Sequence, residues 1–226
     1  MPLVPVLAHS QDAQRVNFGI EGDFPPWSSV DSKGEPSGLA IDLIRDFCRR
    51  EKFDCVINVV SWDSLIPSLT GGKFDAIMNI GINEKRKEVI GFSLPYVISP
   101  ASFITLKTGT LPSLPDTGTP INVEDKAAAG PILQQLKGIL SGKTVGVVRS
   151  TSHEQMINAF FGDVTTVRTY PTAPERDLDI KAGRIDIGFD NAVYGASELA
   201  KSGNGDLSLS GPLFDGAPLA TQVAIG

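Results

Sequence analysis

Strand-like and helix-like runs alternate along this chain with short links between them, and the alternation starts afresh after residue 120; that order constrains the fold more than any other feature. Residues 15–20 read as a strand, closed by the polar, proline-broken stretch Glu21-Gly22-Asp23-Phe24-Pro25-Pro26-Trp27. Leu39, Leu43, Ile44, Phe47 and Cys48 recur at helical spacing and predict a helix to about residue 51, after which 55–60 alternate as a strand. A second helix begins over 61–69, where Pro67 is tolerable only near the first turn, and Gly71-Gly72 stops it. Residues 74–80 form the next strand. Strands and helices in this order predict a mostly parallel sheet covered on both faces.

An apolar strand over 101–106 leads into 107–120, a stretch rich in Gly, Pro, Thr and Ser that marks a loop between units. The pattern then restarts with a helix over 124–140, a strand over 144–148, a helix over 150–161, a strand over 164–170, a helix around 174–181 and a strand over 185–189. These make a second α/β lobe. The tail ends in Gln222-Val223-Ala224-Ile225-Gly226, a strand with no helix after it. The two halves share their element order without a sequence repeat.

A chain of 226 residues, 41% hydrophobic and 20% charged, can bury a real core in one large domain or two lobes. Twenty Lys and Arg against 26 Asp and Glu leave a net charge of -6, which offers no field for a phosphate backbone and argues against nucleic acid as a partner. No stretch is apolar for long enough to span a bilayer. The opening MPLVPVLAHSQDA reads as the remnant of a secretory signal, with Ala8-His9-Ser10 as a small-x-small cleavage site; a disordered tail over 1–14 is the alternative. Cys48 and Cys55 are the only cysteines, and the only histidines are His9 and His153. The pair reads more easily as a disulfide than as a metal site, the other reading being two buried reduced thiols. A disulfide would place the chain in an oxidising compartment. No nucleophile, metal cluster or cofactor motif is visible, so neither a metal nor a cofactor is expected.

Several motifs in order resemble the periplasmic solute-binding proteins of ABC importers, in the branch that carries lysine, arginine, ornithine, histidine and opines. They are Glu21 to Trp27, Gly38-Leu39-Ala40-Ile41-Asp42-Leu43, Trp62-Asp63-Ser64-Leu65-Ile66-Pro67-Ser68-Leu69, and Arg86 followed by Ile90-Gly91-Phe92-Ser93-Leu94-Pro95-Tyr96. Lys143-Thr144-Val145-Gly146-Val147, Gly183-Arg184-Ile185-Asp186 and Gly211-Pro212-Leu213-Phe214 continue the set. The resemblance runs over 15–226 and implies a two-lobed α/β fold of the type II periplasmic binding class. Two crossing strands, near 101–106 and 214–220, would form the hinge, with the ligand in the cleft between lobes. It implies a first lobe over 15–106 plus 216–226 and a second over 107–215. It also puts Cys48 and Cys55 where cationic amino acid binders of the family have a disulfide.

An amino acid offers a carboxylate, an ammonium and a side chain, so its receptor needs a guanidinium fork, acceptors and an aromatic wall. The resemblance assigns the fork to Arg86, in Glu84-Lys85-Arg86, and the stacking wall to Trp62, whose bland reading is core packing. Phe24 matches a second aromatic lid, usually tyrosine there. Glu21 matches the acid that meets a ligand's distal cation, while Asp23 reads as a loop cap. Asn79 and Gly81 fall where relatives have a serine-rich stretch; DAIMNIGINEKR is one residue shorter and has no serine, so hydroxyl contacts do not carry over. Ser150, Thr151 and Ser152 share the position of a carboxylate-binding helix N-terminus, ordinary capping being the alternative. His153 and Arg149 are candidates to meet an extra acid group of the ligand.

Asn191 departs from the simple amino acid binders, which have an aspartate there to pair with the free ammonium. Opine binders resemble this chain in that asparagine, in the glutamate at Glu21 and in an inserted segment over 112–140. A register shift of one residue would put Asp190 at the position instead. The expectation is therefore a periplasmic receptor that captures an opine or a basic amino acid for an ABC permease, with no catalytic residue. A dehydratase-like enzyme using Glu21, Asp23 or His153, and a receptor's sensor domain, are the rivals. Relatives continue past the last strand into helices that complete the first lobe. Either a fragment or a partner-covered surface is implied, with an exposed apolar face on the first lobe; otherwise a monomer is expected.

Overall fold

The computed structural model describes residues 13–109, 111 and 113–226. The expected signal remnant, save its last two residues, lies outside them. Strand β1 (Arg15–Glu21) buries Phe18 and Ile20. The stretch expected as a plain loop then folds into a small antiparallel sheet of β2 (Asp23–Phe24), β3 (Ser28–Val30) and β4 (Pro36–Ser37). Gly38 turns the chain into helix α1 (Leu39–Glu51) at φ 120°, and a Cβ there would lie 2.6 Å from the Trp27 carbonyl oxygen. Only glycine fits that conformation. The helix buries Ala40, Ile41, Ile44 and Cys48, whereas Leu39, Leu43 and Phe47, spaced four apart, are 46%, 37% and 39% exposed. Together with Leu94 and Ile98 they are apolar surface of the first lobe.

Strand β5 (Asp54–Val60) follows and pairs in parallel with β1 along its whole length. Cys48 at the end of α1 is disulfide-bonded to Cys55 on β5. A 3-10 turn (Trp62–Ser64) leads into α2 (Leu65–Thr70), which places Pro67 in the first turn, as expected. The strand predicted over 74–80 is broken in two, β6 (Ala76–Ile77) and β7 (Ile80–Gly81), because Asn79 takes a left-handed φ of 61° between them. β6 completes a parallel sheet in the order β5-β1-β6. Helix α3 (Glu84–Lys87) and strand β8 (Val97–Ile98) finish the outward pass through the first lobe.

Strand β9 (Ala101–Leu106), reached through Ser99 and Pro100, is a central member of a second, six-stranded sheet. The second lobe adds β10 (Pro120–Asn122), α4 (Lys126–Leu140), β11 (Thr144–Val148), α5 (Ser152–Phe161), β12 (Thr166–Tyr170), α6 (Ala173–Lys181) and β13 (Ile187–Asn191). Strand β10, helix α7 (Ala192–Leu199) and the long strand β14 (Leu207–Asp215) had no sequence counterpart. The sheet order is β10-β14-β9-β13-β11-β12, and β9 runs antiparallel to both neighbours. Its core centres on Phe103, Phe161, Phe189 and Phe214, whose rings meet at centroid distances of 4.8 to 6.0 Å.

The chain returns to the first lobe as β15 (Gln222–Ala224), which lies between β7 and β8. Gly226 continues the pairing by exchanging backbone hydrogen bonds with Ile77 at 2.9 and 3.0 Å. The two passes between sheets run side by side, where the Ser99 N–H donates to the Thr221 carbonyl at 2.8 Å. Two lobes joined by paired crossings fit hinge motion, since few residues must change φ and ψ.

Candidate functional site

A cavity that takes its walls from both lobes lies at the hinge, the usual place for a small-molecule site. Glu21, Phe24, Trp62, Asn79, Gly81 and Arg86 line it from the first lobe; Thr151, Ser152 and Asn191 do so from the second. Of the residues singled out in the sequence, Ser150 is not among the lining groups. It takes a left-handed φ of 61° and donates its N–H to Glu154 Oε2 at 2.7 Å. The N-cap of α5 is Thr151, whose Oγ1 accepts from the Glu154 N–H at 3.1 Å. Ser152 opens the helix, so both lining residues sit at its partly positive end.

Arg86 is drawn inward by its own helix start. Asn83 caps α3 by accepting the Arg86 N–H at 2.8 Å, and Arg86 Nη1 donates to the Gly81 carbonyl at 2.8 Å. Its guanidinium carbon lies 5.2 Å from the centre of the Trp62 ring, a cation–π contact. The side chain is buried, and the lost hydration pushes its pKa down to about 10, so it stays charged at neutral pH. Among the described residues no carboxylate pairs with it. Gly81 has room for no side chain, as a Cβ would meet the Ala220 carbonyl oxygen at 2.2 Å, so the crossing strand packs directly on it.

Glu21, at the end of β1, carries the opposite tendency. Loss of hydration in the cavity wall and, after it, the charges of Asp190, Asp23 and Asp63 push its pKa up to about 8. A cation brought beside it would restore the carboxylate. Phe24 stacks on Tyr194 of α7 with centroids 4.9 Å apart and planes 3° apart, and Phe24 and Trp62 both pack against the second lobe's cluster around Ile104 and Tyr170. Arg149 Nε also reaches Asp63 Oδ2 at 2.5 Å from the opposite lobe. These contacts hold the lobes together over the cavity.

Asn191 ends β13 and caps α7. Its Oδ1 accepts the N–H groups of Val193 at 2.9 Å and Tyr194 at 3.1 Å, and its Nδ2 donates to Ser99 Oγ. Both lone pairs of the amide oxygen are thus occupied. Asp190 also lines the cavity, yet its Oδ1 accepts the Asn191 N–H at 2.7 Å and its Oδ2 pairs with Arg176. Arg176 is fully buried and bridges Asp190 and Asp177, the latter at 2.7 Å. Burial alone opposes its charge, but the two aspartates outweigh that and hold its pKa above the usual arginine range. Tyr194 completes the group, donating its hydroxyl to Asp177 at 2.8 Å. Sequence reading missed Ser99, Ala173 and Thr221 in the lining and gave Arg176 no role. Nothing in an arginine on an ordinary-looking helix signals a buried cation.

A two-lobed α/β fold with a charged, aromatic-walled cavity at the hinge defines a solute-binding protein of the type II class. Residues 16–176 match the model of the bacterial extracellular solute-binding proteins, family 3, and the chain belongs to that family. It is 33% identical over 225 residues to the octopine-binding periplasmic protein of Rhizobium meliloti, covering 98% of this chain and 76% of that relative. ABC transporter arginine-binding protein 1 of Escherichia coli (strain K12) is 30% identical over 183 residues, 80% of this chain; the chain spans 65% of that relative's length. Among solved structures, holo ArgBP from T. maritima superposes with a TM-score of 0.75 at 26% identity, over 93% of this chain and 81% of that one.

Proposed function

We propose that this protein is a periplasmic receptor that captures an opine or a basic amino acid and delivers it to an ABC permease in the inner membrane. The observation that carries the reading is Arg86: a buried guanidinium facing the cavity with no carboxylate partner among the described residues. A buried cation without a partner is costly unless a ligand supplies the anion. Its fork suits a carboxylate bidentately. Glu21 meets the ligand's distal cation, Phe24 and Trp62 flank the stem or guanidinium, and Asn79, Gly81, Thr151, Ser152 and Asn191 supply the remaining wall. The relatives that bind octopine and arginine are consistent with this ligand set. The lobes divide at the crossings, near 99–100 and 216–221, and close about them on binding.

Asn191 favours an opine over a plain amino acid. Its amide oxygen is filled by two helix N–H groups, so it has no acceptor for a primary ammonium, which needs three. The rival assignment of Glu21, Asp23 and His153 to acid–base chemistry draws less from the geometry, because Asp23 is exposed and outside the cavity lining. Calorimetry with arginine and with an N-carboxyalkyl arginine tests the reading. Micromolar or tighter binding of one is expected; folded protein that binds neither would overturn it.

A further inference from the structure

If the ligand carries an amino nitrogen, as the receptor reading requires, the cavity must present an acceptor to it. Asn191 cannot, for its oxygen is filled. Asp190 is withdrawn from that role, since its charge is met by Arg176 from behind and its side chain is almost wholly buried. Glu21 belongs to the first lobe and is assigned to the distal cation. His153 remains. It is the second residue of α5, lines the cavity, and packs edge-on against Phe189 with centroids 5.9 Å apart. Its Nδ1 lies 3.4 Å from Asp190 Oδ1, and no hydrogen bond from a described residue reaches its Nε2.

We propose that His153 Nε2 is the acceptor for the N–H of the ligand's amino nitrogen, with Asp190, itself anchored by Arg176, fixing the ring as the Nδ1–H tautomer. A carboxylate on one ring nitrogen makes the other a better acceptor, as in metal-binding histidines backed by aspartate. Three charged groups bear on the ring: Asp190 from β13 favours the imidazolium, while Arg176 from α6 and Arg86 from α3 oppose it. Burial, aided by the two arginines, outweighs Asp190 and lowers the pKa, so the ring is neutral and its Nε2 lone pair is free at neutral pH. Two consequences separate this site from an aspartate at the same place. A single neutral acceptor suits a secondary amine with few N–H groups better than a primary ammonium. The contribution of His153 to affinity is also complete above its lowered pKa and is lost as pH falls through it.

The test pairs a variant with a ligand. Affinities of wild type and His153→Phe are measured for arginine, for its N-carboxyalkyl derivative, and for 5-guanidinopentanoate, which lacks the amino nitrogen. The variant should lose about tenfold or more for the amino-bearing ligands and stay within about twofold for the deamino analogue. Nitrogen-15 NMR of the wild-type ring should find Nδ1 protonated and Nε2 unprotonated, with Nε2 shifting on binding. Equal losses for all three ligands, or an imidazolium in the complex, would overturn the proposal. If His153→Phe melts early, His153→Gln, which keeps an acceptor, and the NMR measurement decide. Wild type that binds none of the ligands would overturn the receptor reading itself, and this inference with it.

Discussion

The pH dependence of binding probes the site at Glu21. Among the described residues Glu21 has no cationic partner, and its pKa stands at about 8, chiefly through lost hydration and then through Asp190, Asp23 and Asp63. A guanidinium brought beside it binds the ionised form, so binding drives a proton off. At pH 7 such a group is about nine-tenths protonated, and roughly 0.9 proton should leave per ligand bound. The sign follows from linkage. The free protein holds more protons than the complex, so affinity rises with pH and levels off above about 8. Between pH 6 and 8 the rise should be about fiftyfold, nearly tenfold of it below pH 7. Calorimetry in two buffers of different ionisation enthalpy reads the proton, and a pH series reads the affinity. In Glu21→Gln the release should vanish and the profile flatten, leaving only a fall at lower pH from His153. The same shift makes the free protein's melting temperature decline as pH rises from about 4.5 to 8, in wild type and not in Glu21→Gln, because the folded chain keeps a proton that the unfolded chain has lost. Wild-type release below about 0.2 proton at pH 7, or an unchanged slope in the variant, would refute the reasoning.

Arg86→Met should weaken carboxylate ligands about a hundredfold while leaving the melting temperature unchanged or raised, since it removes a buried cation together with its anion's partner; titration and thermal melts check both. Reducing the Cys48–Cys55 bridge should cost roughly 2 kcal/mol and about 5 °C in melting temperature. Ligand selectivity should not move, as neither cysteine lines the cavity. Arg149→Gln breaks an ion pair that is half exposed on the arginine side. It should change affinity by less than about fivefold, through faster release in stopped-flow measurements, and equally for every ligand.

The lobes were legible because their elements are locally coded. Helical spacing in α1 and α5, the glycine stop after α2 and the apolar runs of β1, β9 and β11 each fall within a short window. The same local code predicts the α1 helix without saying which face it buries: Ala40 and Ile41 join Ile44 and Cys48 inside, whereas Leu39, Leu43 and Phe47 face out. Periodicity fixes an apolar stripe but not its edges. β14 was invisible for another reason: LSLSGPLFD mixes serine, glycine and proline into a strand that is held by its pairing with β9 and β10. Tertiary pairing overrides propensity there.

The cavity divides in the same way, and the division bears on specificity. Its first-lobe wall, Glu21, Phe24, Trp62 and Arg86, was readable because each residue sits in a short motif, at a strand end, in a turn or in the short helix α3. The second-lobe wall depends on Arg176, which stands 14 residues from Asp190 and 23 from His153 in the chain and looks like solvated helix surface. Without that buried cation, Asp190 would face the cavity as an unpaired carboxylate beside Glu21, and the wall would call for a second ligand cation. With it, Asp190 is neutralised from behind and serves to orient His153. Arg176 therefore decides whether this wall offers a charge or a neutral acceptor. A substitution such as Arg176→Leu should shift preference toward ligands with a primary ammonium, provided the lobe still folds.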